Sequence, residues 1–171
     1  MVIWIIGLSG AGKTTLAKEV VRLARQHVPN IALVDGDDLR AVWGDNLGHS
    51  LSERKKNADR LNRLCSYLEQ QNIHAVAAIL SLFEESREWN RTHLKNYYEV
   101  FIKTPLADLR QRDPKGLYAK AEQGEIKLPG INLPFSEPAK PDIIINNTAS
   151  QKELLAYAQI LVQKIKDNNA S

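Results

Sequence analysis

Short apolar runs alternate along this chain with much longer amphipathic stretches. The runs stand at Val2–Ile6, Ile31–Val34, Ala75–Leu80, Tyr98–Ile102 and Asp142–Ile145. Each is of strand length and bounded by polar or turn-forming residues. Between them apolar residues recur at helical spacing. After the first run they are Leu16, Val20, Leu23, Ala24 and His27; in a helix starting near Ser52 they are Ala58, Leu61, Cys65 and Leu68. At the end of the chain they are Leu154, Leu155, Ala158, Leu161 and Ile165. Strands separated by helices and not by tight hairpins predict an α/β fold of three layers, a parallel sheet with helices on both faces. Thr104-Pro105-Leu106 opens one helix with proline in its first turn, and Ser150-Gln151-Lys152-Glu153 reads as a capping box for the last. Asp167–Ser171 is expected to fray. At 171 residues, 43% of them apolar, the chain is long enough for one well-buried core and short for two. One domain over 1–171 is expected.

The first strand runs directly into Gly7-Leu8-Ser9-Gly10-Ala11-Gly12-Lys13-Thr14-Thr15. This matches G-x-x-x-x-G-K-[ST], in which glycines let successive backbone N–H groups turn inward on phosphate oxygens. Lys13 adds a point charge, the Thr14 hydroxyl can hold Mg²⁺, and the following helix points its positive end at the anion. Strand, loop and helix are all in place, so Gly7, Ser9, Gly10, Ala11, Gly12, Lys13, Thr14 and Thr15 are assigned to nucleotide phosphates. The loop alone does not distinguish kinases from hydrolases, switches or transporters.

Parallel sheets gather ligands at the carboxyl ends of their strands. The second run ends in Asp35-Gly36-Asp37-Asp38-Leu39-Arg40. Acidic residues there can orient or deprotonate a hydroxyl and help hold Mg²⁺, or can simply cap the next helix. Arg54, Asn57 and Arg60 recur at i, i+3 and i+6 along one side of a helix. They can form a solvated face or clamp an anion. The third run ends in Ser81-Leu82-Phe83, with Arg87 and Arg91 following at helical spacing. Ser81 can cap a helix or meet an anion beside those two cations. His74 is taken as structural. A long stretch rich in Gly and Pro, from Gly124 to Pro141, follows Arg112-Asp113-Pro114-Lys115-Gly116-Leu117-Tyr118-Ala119-Lys120. This is the composition of a lid, with Arg112, Lys115 and Lys120 as cations to close over phosphates.

A formal charge of +3, evenly spread, does not call for nucleic acid as a partner, and no basic stripe interleaved with aromatics appears. The single cysteine, Cys65, excludes an internal disulfide and is expected in the core. No apolar run reaches membrane-spanning length and the chain enters a strand without a charged leader. The sequence thus predicts a soluble, cytoplasmic protein that makes no membrane contact.

With these pieces assembled, the chain resembles the adenylyl-sulfate kinase family almost end to end. The resemblance rests on Gly7–Thr15, Asp35-Gly36-Asp37 with Arg40, Leu47-Gly48, Arg54 with Asn57 and Arg60, Ser81, Arg87 and Arg91, Thr104-Pro105-Leu106, and above all Arg112–Tyr118. It implies a P-loop NTPase fold with a mobile lid over about 113–141, ATP and Mg²⁺ as cofactors, and transfer of the γ-phosphate to a ribose 3′-hydroxyl. The acceptor so implied is adenylyl sulfate, giving 3′-phosphoadenylyl sulfate. Lys13, Asp35 and Ser81 would be catalytic, and Thr14 with Asp35 would hold the metal. Arg112 and Thr148 would join the nucleotide contacts. Asp35, Asp37, Arg40, Arg54, Asn57, Arg60, Ser81 and Lys115 would meet the acceptor, and family members are often homodimers.

Departures fall on the acceptor side. His49 stands where the family has the Phe of Leu-Gly-Phe-Ser, and Leu128-Pro129-Gly130-Ile131 where it has Phe-Thr-Gly-Ile. Those two aromatics sandwich the acceptor's adenine in the family, and a lost stacking wall is worth about 1–3 kcal/mol per base. Lys56 and Asp59 replace Glu and Arg, and Ser-Pro-Tyr has become Ser81-Leu82-Phe83. His49, Leu82, Phe83 and Leu128 are therefore candidates for the edited acceptor site. The alternative acceptor these changes suit is cytidine diphosphoramidate, which some relatives use in capsule phosphoramidate biosynthesis. A third alternative is an inactive nucleotide-binding regulatory module, against which the retained Lys13, Thr14, Asp35 and Ser81 argue.

Overall fold

Val2–Ile6 forms strand β1, buried along its whole length at the centre of the sheet. In the computed structural model, which describes residues 1–44, 48, 50–113, 115–148 and 150–169, β1 pairs in parallel with β3 (His74–Ile79) and β4 (Tyr97–Lys103). Strand β2 (Ile31–Asp35) adds outside β3, and β5 (Ile143–Asn146) outside β4, giving the all-parallel order β2-β3-β1-β4-β5. Successive β1 side chains go to opposite faces. Ile3 and Ile5 enter the core packed by α1 (Lys13–Ala24) and α7 (Gln151–Asn169), whereas Val2, Trp4 and Ile6 enter the core packed by α3 (Leu51–Gln70). A strand buried on both faces needs the continuous apolar run that Val2–Ile6 supplies. Five parallel strands between helices give the three-layer P-loop fold.

Boundaries differ from the sequence pattern where side chains pair with the backbone. The fifth strand starts one residue late, because the Asp142 carboxylate accepts the Glu99 amide at 2.6 Å. α3 starts at Leu51, since Ser50 and Glu53 form a capping box there. At the predicted box, Ser150 Oγ meets the Glu153 carboxylate at 3.4 Å ahead of α7. α7 stays helical to Asn169, whose Oδ1 lies 3.3 Å from His74 Nε2, so the predicted fraying of 167–169 does not occur. His27 lies past the end of α1 and is exposed, outside the stripe the spacing assigned it to. Cys65 is buried, as expected, and burial pushes its thiol up to about 12.

The 113–141 stretch is less loop-like than its composition implied. It follows α5 (Leu106–Arg112) and holds α6 (Leu117–Glu122), and Tyr118, Ala121 and Leu128 are part of the larger core. Asn132 ties its turns together, donating to the Ala121 and Ile126 carbonyls and accepting from the Leu128 amide at 2.7 Å. The chain then crosses the sheet edge to β5. Among the described residues, no helix is long and apolar enough to cross a membrane.

Candidate active site

A cavity of about 1000 Å³ opens at the carboxyl edge of the sheet. Its floor is the phosphate loop. Gly10 and Gly12 take positive φ angles of 77° and 97°, which turn loop amides inward. Ser9, Gly10, Gly12, Lys13, Thr14 and Thr15 line the cavity, whereas Gly7 and Ala11 do not. Those two act from behind. A Cβ on Gly7 would stand 2.9 Å from the Ile102 carbonyl, and Ala11 is buried. Lys13 Nζ donates to the Leu8 carbonyl at 2.9 Å, and burial pulls its ammonium down to about 8 despite nearby Asp37 and Asp35.

Opposite the loop stands Asp35, where β2 gives way to α2 (Gly36–Val42). Its Oδ1 accepts the Asp37 amide at 2.9 Å as the α2 N-cap, and its Oδ2 accepts the Thr14 hydroxyl at 2.6 Å. Capping and cleft chemistry were alternatives in the sequence; one carboxylate serves both. Asp37 and Lys115 meet across the cleft mouth at 2.9 Å, and that bond raises the Lys115 pKa. Among the described residues no three His, Cys, Asp or Glu side chains converge as a metal cage. A hydroxyl beside one carboxylate is instead the partial oxygen set that suits Mg²⁺ shared with nucleotide phosphates.

The far wall belongs to α3, to Leu82 and Phe83, and to the segment 125–129. Arg40, Arg54 and Asn57 line it, and burial together with neighbouring Arg40 lowers the Arg54 pKa. Arg54 Nη2 reaches the Lys127 carbonyl at 3.3 Å, and Arg40 Nη1 reaches the Gly48 carbonyl at 3.0 Å. Glu53 fixes the turn before α3 by accepting the Gly48 and Ser50 amides, and the Ser50 hydroxyl and these amides hold its carboxyl down to about 2. Phe83 has Lys55 Nζ 5.9 Å from its ring centroid, and Lys55 in turn pairs with Asp59 at 2.6 Å. Leu128 and Pro129 complete the wall. His49 lies outside the described residues.

Several expected residues sit elsewhere. Arg60 does not line the cavity; it projects over the Trp43 ring at 5.7 Å, so the predicted three-member row contributes only Arg54 and Asn57. Arg112 and Thr148 are also outside it, Arg112 donating to the Asn147 carbonyl at 3.2 Å. Arg87 and Arg91 on α4 (Glu84–His93) face away. Arg91 pairs at 2.9 Å with Glu99, which is 1% exposed, and Arg87 donates to the Ser81 carbonyl at 2.7 Å. Ser81 lines the cavity without capping α4. It holds a positive φ of 52°, with its Oγ accepting the Trp4 indole N–H at 3.2 Å. Leu117 and Ile126 are lining residues that sequence reasoning missed. They have no period or charge to mark them, only their place beside Gly116 and Leu128.

A phosphate loop at the head of a parallel sheet, with carboxylate, cations and an acceptor-sized cavity facing it, defines a P-loop phosphotransferase. The comparisons narrow the class. Residues 1–146 match the profile of the adenylylsulphate kinase family, and the chain belongs to that family. It is 37% identical over 163 residues to an adenylyl-sulfate kinase of Pseudomonas aeruginosa, covering 94% of this chain and 83% of that one. It is 33% identical over 168 residues to the cytidine diphosphoramidate kinase of Campylobacter jejuni, covering 96% and 95%. The structure of the Mycobacterium tuberculosis APS kinase in complex with AMPPNP and APS superposes with a TM-score of 0.84 at 34% identity, covering 96% of each chain. The protein is thus an ATP-dependent kinase that transfers phosphate to a hydroxyl group.

Proposed function

We propose that this kinase phosphorylates the ribose 3′-hydroxyl of a nucleotide conjugate, and that the conjugate is cytidine diphosphoramidate. The observation that carries this reading is the composition of the acceptor wall. Among its described residues Phe83 is the one aromatic, and the aliphatic Leu128 and Pro129 line the wall in the segment where the family resemblance sets a stacking aromatic. One aromatic face serves a pyrimidine, whereas the larger purine draws more from a two-sided sandwich. The Campylobacter jejuni relative, matched over almost the whole of both chains, supports the same choice. Adenylyl sulfate is the second reading, favoured by the overlap with a relative solved with APS bound.

In either case the chemistry is in-line phosphoryl transfer with little covalent work for the protein. Loop amides and Lys13, released from the Leu8 carbonyl, spread the charge on the transferred phosphoryl group. Thr14 and Asp35 would hold Mg²⁺, which when bound neutralises charge on the nucleotide phosphates. Asp35, fixed by α2, orients the acceptor hydroxyl, and Arg40 and Arg54 hold the anionic part of the conjugate. Lys115 and the 113–141 segment act as the lid that excludes water.

Purified protein with ATP and Mg²⁺ is offered adenylyl sulfate and cytidine diphosphoramidate in parallel, with acceptor-free hydrolysis subtracted. Turnover selective for the cytidine compound is expected, and Leu128→Phe should shift the preference toward adenine. Selective turnover of adenylyl sulfate by the unaltered protein overturns the choice of base, and phosphate on any group but the 3′-hydroxyl overturns the regiochemistry.

A further inference from the structure

The phosphate loop turns its amides inward, so its carbonyls face outward and need donors of their own. Leu8 O receives the Ala11 amide and Lys13 Nζ, and Gly12 O receives the Leu16 amide. The Ser9 and Ala11 carbonyls are served from outside the loop. Tyr118 Oη donates to Ser9 O at 2.7 Å, and Asn147 Nδ2 donates to Ala11 O at 2.9 Å. Tyr118 is 2% exposed, and burial followed by nearby Asp113 pushes its hydroxyl up to about 12, which keeps it a donor at working pH.

Tyr118 also stands at the head of the segment that builds the acceptor wall. The Asp113 carboxylate accepts the Tyr118 and Ala119 amides at 3.1 Å, starting α6, and Leu117 beside it lines the cavity. Further along, Gly130 takes φ 88° and packs so closely on Leu8 that a Cβ there would come within 3.0 Å of Leu8 Cδ1. Segment 117–130 thus rests on the phosphate loop at two points, one a single directional hydrogen bond. Between those points lie Ile126, Leu128 and Pro129 of the acceptor wall.

We infer that Tyr118 is a positioning residue which, through Ser9, sets the phosphate loop for ATP and transmits loop occupancy to the acceptor wall. Its hydroxyl fixes the direction of the Ser9–Gly10 peptide, so a phosphate that draws the Gly10 amide inward strengthens the bond on the other side of the same peptide. The wall at 125–129 is therefore seated by nucleotide before the acceptor arrives, whichever conjugate that is.

The test is amide hydrogen exchange of the whole protein with and without AMPPNP and Mg²⁺, in the wild type and in Tyr118→Phe. The ring stays, so the variant should melt within a few degrees of wild type. In the wild type, nucleotide should slow exchange across 117–129 as well as in the phosphate loop. In Tyr118→Phe the loop should still respond while 117–129 should not, and Kd for AMPPNP should rise about threefold to tenfold, the worth of one hydrogen bond. Asn132→Ala, which loosens the segment internally without touching the loop, should speed exchange there but keep the nucleotide response. Equal nucleotide protection of 117–129 in Tyr118→Phe and wild type overturns the inference, as does its absence in the wild type. Because no acceptor is present, the outcome is independent of which conjugate the enzyme uses.

Discussion

Lys13 gives ATP binding a pH dependence that ordinary lysines do not. In the ligand-free protein, burial pulls its ammonium from 10.5 to about 8. Phosphates placed against Nζ favour the charged form and return the pKa toward its usual value. Binding near pH 8 therefore takes up about half a proton. By pH 9 about one molecule in ten retains the charge, and apparent affinity falls about tenfold from its value at pH 7. Stability of the ligand-free fold moves the other way. The unfolded chain holds the Lys13 proton more tightly, so this group's burden on the fold is complete below pH 8 and lifts between 8 and 10.5. The assay is calorimetric titration of AMPPNP with Mg²⁺ at pH 7, 8 and 9 in buffers of different ionisation enthalpy, paired with thermal melts of the free protein. Lys13→Arg, charged throughout, should flatten the affinity profile. Constant wild-type affinity over this range, with heats independent of buffer, would refute the reasoning.

Two further outcomes follow from side chains at the cavity rim. Ser81→Ala leaves the buried Trp4 N–H without its acceptor and keeps a Cβ at φ 52°, so denaturant unfolding should show a loss of about 1–3 kcal/mol; a variant as stable as wild type would remove the role given to this bond. Glu53 titrates at about 2 in the fold against 4.5 when unfolded, so its stabilisation is complete above 4.5 and lost as pH falls through 2. Melting temperatures between pH 2 and 5 should therefore fall less steeply for Glu53→Gln than for wild type, and equal slopes would contradict the capping role.

Strand placement was legible because fully buried parallel strands write their position as unbroken apolar runs, and the phosphate loop because its backbone geometry demands glycine. The acceptor side was legible in part. Arg54 and Asn57 lie three residues apart and share the cavity face of α3, but Arg60, a further turn along, finds the Trp43 ring instead. Arg87 and Arg91 looked like anion ligands. What they bond, a backbone carbonyl and a buried glutamate on β4, is fixed by tertiary contact and leaves no local signature. Composition tells only part of 113–141 for a related reason. Its glycines and prolines predict turns correctly but say nothing of Tyr118 and Leu128 reaching the core from between them.

The attachment of the two halves of the cavity has an evolutionary consequence. The donor half is wedged into the core: a Cβ on Gly12 would strike Leu154 at 2.6 Å, and one on Gly7 the Ile102 carbonyl. The acceptor half is held less evenly: Ser81 and Leu128 are buried, but the end of α2 and the start of α3 stand in solvent at Val42 and Leu51. Substitutions on the α2–α3 side of the acceptor half therefore cost the fold little, whereas those in the phosphate loop disturb the core. A lineage built this way can change the molecule it phosphorylates without passing through an unfolded or ATP-blind ancestor.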